Sequence, residues 1–247
     1  MTNQIIQGDC LVEMKKIEDK SIDMVLCDLP YNTTACHWDK LIPFEPLWEQ
    51  YKRIIKDNGA IVLTASQPFT SALVMSNIKY FKYSLVWDKK FGIPAHAKIR
   101  PMKTHEDINI FCYGKTPYNP QMIKRDKPIK SGGNKCNSVT SPLSRIDGWK
   151  KTYDYKFPIS ILNYPREIGR TVHPTQKPVA LGRYLIRTYT NEGDLILDNT
   201  CGSGSFLVSA MLEKRNFIGI ELDENYCAIA RKRLEDTQKD IDSKLSF

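Results

Sequence analysis

Short apolar runs rich in β-branched residues alternate along this chain with longer segments whose apolar positions recur every three to four residues. That alternation is the signature of βαβ units, which build a mostly parallel sheet covered by helices. The pattern predicts strands at Gln4–Gln7, Ile22–Cys27, Ala60–Thr64, Tyr83–Trp87 and Ile108–Cys112, then at Leu195–Leu197 and Phe217–Ile220. It predicts helices at Leu11–Ile17, Phe44–Lys56, Pro68–Asn77, Val179–Tyr189, Phe206–Lys214 and Glu224–Asp236. The polar tail from Thr237 to Phe247 is expected to fray.

The periodicity fails between Gly114 and Arg170, where Pro, Gly, Asn, Ser and Lys dominate. Such a stretch is too long for a connector. Tyr118, Trp149, Tyr153, Tyr155, Phe157 and Tyr164 are scattered through it among basic residues. Basic residues neutralise phosphates and aromatic rings stack on exposed bases, so a functional insertion is the reading preferred over a solvated excursion, which would carry fewer aromatics. The expected organisation is one domain in two halves, 1–113 and 171–236, interrupted by an insertion at 114–170 and closed by a tail at 237–247.

At 247 residues the chain is long enough for one large α/β domain with an insertion. Its net charge of +8 favours an anionic partner such as nucleic acid, although charge alone does not establish one. The seven cysteines, Cys10, Cys27, Cys36, Cys112, Cys136, Cys201 and Cys227, form no C-x-x-C pair and read as reduced cytosolic thiols. No window approaches the roughly 18 apolar residues of a membrane helix, and the first residues lack the pattern of a signal peptide. A cytoplasmic protein without membrane contact is expected.

Two groups of residues carry candidate chemistry. In the first, Leu195-Ile196-Leu197 runs into Asp198-Asn199-Thr200-Cys201-Gly202-Ser203-Gly204 and then into a helical pattern. Gly202 and Gly204 let the backbone approach a ligand, and the free amides of a helix start attract electron-rich groups. Glu221 ends the next strand, nineteen positions after Gly202, where a carboxylate can accept hydrogen bonds from ribose hydroxyls. The glycine spacing matches neither a dinucleotide nor a triphosphate cradle. S-adenosylmethionine fits this turn, with Asp198 placed to hold its ammonium group.

The second group follows the buried strand Ile22–Cys27, at whose end stands Asp28-Leu29-Pro30-Tyr31. Ligands of open α/β sheets bind at strand carboxyl ends. An exocyclic amine is a poor nucleophile, because its lone pair is delocalised into the base. The Asp28 carboxylate and the Leu29 carbonyl could hold its two hydrogens and favour the pyramidal, positively charged nitrogen of the transition state. Pro30 would fix the turn, and Tyr31 would stack on a base drawn out of a duplex. Asp9 offers an acceptor to an adenine ring, or alternatively an N-cap for the helix that follows.

With both groups in view, the sequence resembles the beta-group amino-methyltransferases of DNA, in which the catalytic motif precedes the cofactor motif. The resemblance rests on Gly8-Asp9, Asp28–Tyr31, Trp87 with Lys89, the His105–Tyr113 strand, His173-Pro174-Thr175-Gln176-Lys177-Pro178, Asp198–Gly204, Ile218–Glu221, and Tyr226 with Arg231. It implies a three-layer, Rossmann-like methyltransferase fold: a circularly permuted sheet of seven mostly parallel strands with one antiparallel. It also implies that His173, Thr175 and Lys177 line the methionine end of the cofactor, and that the insertion recognises the target in double-stranded DNA. Leu29 stands where the family usually has Pro, and Asn199-Thr200-Cys201 replace the commoner Pro-Phe-x. Asp rather than Ser at position 28 resembles the adenine-specific members, and methylation of the cytosine amine is the alternative. A dinucleotide-dependent oxidoreductase and a non-catalytic DNA-binding module are the more distant readings. A homodimer and a companion restriction nuclease are both open as partners.

Cys36 and His37 lack partners at ligand spacing, and no metal is expected. His105-Glu106 precedes an apolar strand and reads as a structural pair. The chain has no Pro-Cys dipeptide, so covalent methylation of a cytosine ring carbon is set aside.

Overall fold

The structure is a computed structural model that describes residues 3–31, 40–92, 97–132, 150–167 and 176–245. The strands are β1 (Gln4–Gln7), β2 (Ile22–Asp28), β3 (Ile55–Ala65), β4 (Phe81–Asp88), β5 (His105–Phe111), β6 (Ile123–Gly132), β7 (Lys150–Lys156), β8 (Ile161–Asn163), β9 (Leu195–Asp198) and β10 (Asn216–Glu221). The helices are α1 (Cys10–Glu13), α2 (Phe44–Ile54), α3 (Phe69–Ser76), α4 (Val179–Tyr189), α5 (Ser205–Leu212) and α6 (Glu224–Leu245). The chain divides into two compact units, Met1–Asn119 with Ser160–Phe247, and Pro120–Ile159.

The larger unit is built on an eight-stranded sheet in the order β1-β10-β9-β2-β3-β5-β4-β8. Its central strands are apolar on both faces, as a parallel sheet covered on two sides requires. Along β2 and β3, Val25, Cys27, Ile61 and Leu63 face one core while Met24, Leu26, Ala60 and Val62 face the other. Leu47, Tyr51 and Ile54 of α2 and Leu73 of α3 fill the first core. Leu181 and Leu185 of α4, Phe206 and Leu207 of α5 and Leu234 of α6 fill the second. Helices thus cover both faces, giving three layers.

Strand β5 runs antiparallel to both of its neighbours, β3 and β4. The single antiparallel strand agrees with expectation, but the described sheet has eight strands rather than seven. The extra one is β8, parallel to the edge strand β4 and anchored by the buried Leu162. Its three residues are too short to show a period, so it was hidden in the segment that reads as irregular.

Two further differences have local causes. The helix expected through Lys56 stops at Ile54, because the chain turns extended at Ile55 and pairs with Ile22. The tail expected to fray from Thr237 continues α6 to Leu245. There the Thr237 hydroxyl bonds the Arg233 carbonyl at 2.7 Å, and Gln238 reaches Asp242 one turn on at 2.8 Å. Pairs at this spacing support an exposed helix that has no apolar stripe to bury.

The smaller unit contains an antiparallel hairpin, β6 with β7, in a register from Ile123 opposite Lys156 to Gly132 opposite Lys150, with a shift between Lys124 and Ile129. Regular pairing was not expected here, since neither strand alternates apolar and polar residues cleanly.

Helix α4 lies close against α5 where Gly182 meets Phe206 and Ser209. A Cβ at position 182 would stand 2.4 Å from the Ser209 Oγ and 2.9 Å from a Phe206 ring carbon. Gly182→Val is therefore expected to destabilise the protein by about 1–3 kcal/mol. Urea denaturation checks this, and an unchanged midpoint would show that the two helices separate freely.

Candidate active site

Strands β2 and β9 are parallel neighbours, with Met24 opposite Ile196 and Val25 opposite Leu197. The chain leaves β2 for α2 on one face and β9 for α5 on the other. Such a divergence opens a crevice at the carboxyl ends of the two strands. Here it is a cavity of about 990 Å³, lined by Asp28, Leu29, Pro30 and Tyr31 from one strand end and by Asp198 through Ser203 from the other. Asp9, Gln176, Lys177 and Glu221 also line it. That volume is at the top of the range of roughly 300–1,000 Å³ for a small-molecule pocket.

Thr200 ties the two strand ends together. Its hydroxyl donates to the Asp28 carbonyl at 3.0 Å and lies 2.9 Å from the Cys27 Sγ. Burial pushes the Cys27 thiol well above its ordinary range, so it keeps its proton. On the same turn, Asn199 accepts from the Tyr51 hydroxyl at 2.6 Å, which fastens the turn to α2.

The glycine turn adopts the backbone its sequence calls for. Gly202 and Gly204 have φ of 51° and 78°, a region unfavourable to residues with a Cβ. A Cβ on Gly204 would also stand 3.0 Å from that of Ala230 in α6. Glu221 at the end of β10 accepts from the Gly202 amide at 2.7 Å through one oxygen and from the Asp223 amide at 2.9 Å through the other. Each carboxylate oxygen retains a further lone pair for a ligand hydroxyl. Asp9 caps α1, its Oδ1 accepting from Leu11 at 2.8 Å and Val12 at 3.2 Å, while the residue still borders the cavity. Both readings of Asp9 are therefore compatible with its position.

Asp198 and Asp28 face different electrostatic surroundings. Asp198 is 2% exposed. Burial, reinforced by the negative charges of Asp28 and Glu221 and only partly offset by hydrogen bonds from Thr200 and Cys27, pushes its carboxyl up to about 8. A cation brought beside it would restore the charged form. Asp28 already has a cation: Lys177 Nζ donates to its Oδ2. The Asp28 Oδ1 accepts from the Tyr31 hydroxyl at 2.5 Å and also from Thr64. Lys177 in turn lies 3.5 Å from the Glu106 carboxylate, which Lys89 holds from its other oxygen at 2.8 Å. Burial alone would raise the Glu106 carboxyl, but Lys177 and Lys89 hold it below the ordinary range. Burial would lower the Lys177 ammonium, and Asp28 with Glu106 reverse this, so that it titrates above the usual lysine range.

The family model described as DNA methylase, N6_N4_Mtase, matches residues 22–232. This chain belongs to that DNA methylase family. It is 30% identical over 261 residues to the DNA adenine methyltransferase YhdJ of Escherichia coli (strain K12), across 94% of this chain and 82% of that protein. It is 27% identical over 264 residues to the type II methyltransferase M.HinfI of Haemophilus influenzae, across 95% of this chain and 68% of the relative. Among solved structures, the M1.HpyAVI–SAM complex superposes with a TM-score of 0.63 at 25% identity, covering 94% of this chain and 99% of the other.

Within this DNA methylase, Asp9, Asp28, Leu29, Pro30, Tyr31, Lys177, Asp198, Thr200, Cys201, Gly202, Ser203 and Glu221 border one cavity. Gly204 stands just behind it as the N-cap of α5. His173 and Thr175 lie outside the described residues, as do Cys36 and His37. Tyr31, expected to receive a base, packs its ring on Phe69 with centroids 5.0 Å apart. Glu106 is a correction: read from sequence as part of a structural pair, it borders the cavity, whereas His105 is exposed. Because β5 is antiparallel, its first residues and not its last reach the site, which defeats a search of strand carboxyl ends.

The raised Asp198 carboxyl has a consequence for stability. The unfolded chain releases this proton near the ordinary value of 3.8 and the folded chain near 8, so the ligand-free fold loses stability as pH rises between them. Asp198→Asn removes the loss. It is expected to stabilise the ligand-free protein by roughly 2–5 kcal/mol at pH 8.5, and by progressively less toward pH 5. Urea titrations at several pH values check this; a benefit independent of pH would contradict it.

Proposed function

We propose that this DNA methylase transfers the methyl group of S-adenosylmethionine to the exocyclic amine of adenine in double-stranded DNA. The observation that carries the reading is the shared cavity, in which Asp28 and Asp198 end adjacent strands and Thr200 bonds one strand end to the other.

The residues present suit this cofactor. Asp198 is a buried acid with no ion pair among the described residues, and an amino-acid ammonium would supply one. Glu221 has lone pairs for ribose hydroxyls, and Asp9 stands at the neighbouring strand end. S-adenosylmethionine, when bound, supplies an electrophilic methyl on a sulfonium. The chain's own task is to present the amine to it. Asp28 and the Leu29 carbonyl accept the amine hydrogens, an interaction that strengthens as positive charge develops on nitrogen and is worth about 3–4 kcal/mol for a well-placed group. Leu29 is 3% exposed, so its backbone is fixed by the core beneath it. Tyr31 borders the cavity beside Asp28 and offers an aromatic surface for a base taken out of the duplex. Holding acceptor and donor together in the right orientation supplies much of the remaining acceleration.

Adenine is favoured over the cytosine amine by Asp at position 28 and by the relationship to YhdJ. The 114–170 insertion is assigned target recognition. Its two described hairpin strands carry seven Lys and Arg against two Asp, with Tyr153 and Tyr155 among them, a composition suited to phosphates and bases.

Incubation with DNA and labelled cofactor, followed by digestion to nucleosides and mass spectrometry, tests the assignment. N6-methyladenine is the expected product; N4-methylcytosine would replace the adenine reading, and no methylated nucleoside would overturn the proposal. Asp28→Ala is expected to lower transfer at least about 1,000-fold while leaving cofactor affinity within about tenfold.

A further inference from the structure

Lys177 stands among the residues expected near the methionine end of the cofactor, yet its ammonium is spent on side chains of the chain itself. It donates to the Asp28 Oδ2 and faces Glu106 at 3.5 Å. Its side chain is 7% exposed, too deep for water to serve as the main partner.

A carboxylate offers about four acceptor positions, two on each oxygen. On Asp28, the Tyr31 and Thr64 hydroxyls take both positions of Oδ1 and Lys177 takes one of Oδ2. Among the described residues this leaves a single acceptor position, on Oδ2, for an incoming amine hydrogen. Rotation of the carboxylate would break three bonds together, so the direction of that position is set by its neighbours. Tyr31 and Thr64 are neutral donors on one oxygen, and Lys177 is the charged donor on the oxygen that must meet the base.

Lys177 is itself held in place. Glu106 receives Lys89 at 2.8 Å on the oxygen away from Lys177, and Lys89 lies 5.7 Å from the centroid of Trp87. The Trp87 indole donates to the Tyr164 carbonyl at 2.7 Å. Charges alternate along Lys89, Glu106, Lys177 and Asp28, so each side chain is fixed by opposite charge on the next.

We infer that Lys177, oriented by Glu106, is a positioning residue for methyl transfer: it aims the one remaining acceptor position of Asp28 at the target amine. The inference rests on the function proposed above. Its role differs from cofactor binding, because a residue acting through Asp28 changes the rate of transfer and not the affinity for the donor.

The test compares Lys177→Met, Glu106→Gln and the double variant with the wild type, measuring kcat for DNA methylation and, separately, S-adenosylmethionine affinity by calorimetry. Lys177→Met is expected to lower kcat about 10- to 100-fold, as loss of a charge-assisted hydrogen bond would, with cofactor affinity within about threefold. Glu106→Gln, the gentler change, is expected to lower kcat about three- to tenfold at unchanged cofactor affinity, and to add nothing further in the Lys177→Met background. The inference is overturned if Lys177→Met keeps wild-type kcat or loses cofactor affinity as steeply as kcat, or if the two substitutions act additively. Should Lys177→Met not fold, Glu106→Gln with wild-type kcat overturns it alone. Wild-type transfer in the same assay tests the underlying function separately, and the ratios between variants test Lys177.

Discussion

Two carboxylates at the ends of adjacent parallel strands, lining one cavity, repel each other, and the more deeply buried of them cannot stay charged without compensation. The protein resolves the conflict asymmetrically. Asp28 is neutralised from within by Lys177 and ringed by hydroxyls. Asp198 has no ion pair among the described residues, and its carboxyl rises to about 8. In the proposed function, the first acid accepts hydrogen bonds from a base and the second takes a positively charged ligand. The division follows from elements far apart in the chain, since Lys177 reaches Asp28 from just before α4 and Glu221 adds its charge from the end of β10.

The same asymmetry relates stability to function. A buried acid that lacks a cation weakens the empty fold, and a cationic ligand that binds only the folded form returns that stability. The glycine turn beside it is rigid for a complementary reason: Gly202 is pinned to Glu221, Asn199 to Tyr51 and Thr200 to Asp28. The turn is therefore shaped by bonds within the chain itself.

The layered sheet was legible in the sequence because its central strands are apolar on both faces and α2 and α4 carry clear apolar stripes. Val179–Tyr189 and Gln4–Gln7 fall where the pattern places them. The features that escaped have physical reasons. Strand β8 buries only Leu162, and α6 beyond Asp236 is held by local polar pairs and not by a stripe. In the site, Asp28–Tyr31 and Asp198–Gly204 could be found because both follow buried strands. Glu106 could not, because its strand runs the opposite way, and the Lys177–Asp28 pairing spans 149 positions that no local pattern connects.

Methyl transfer as proposed requires one cavity to hold donor and acceptor in a fixed orientation. A crystal structure with S-adenosylmethionine bound measures this directly. The ammonium is expected against the Asp198 carboxylate, the ribose hydroxyls at Glu221, and the sulfonium methyl turned toward Asp28. A cofactor seated in the cavity with its methyl directed away from Asp28, or bound elsewhere on the chain, would contradict the mechanism at its root.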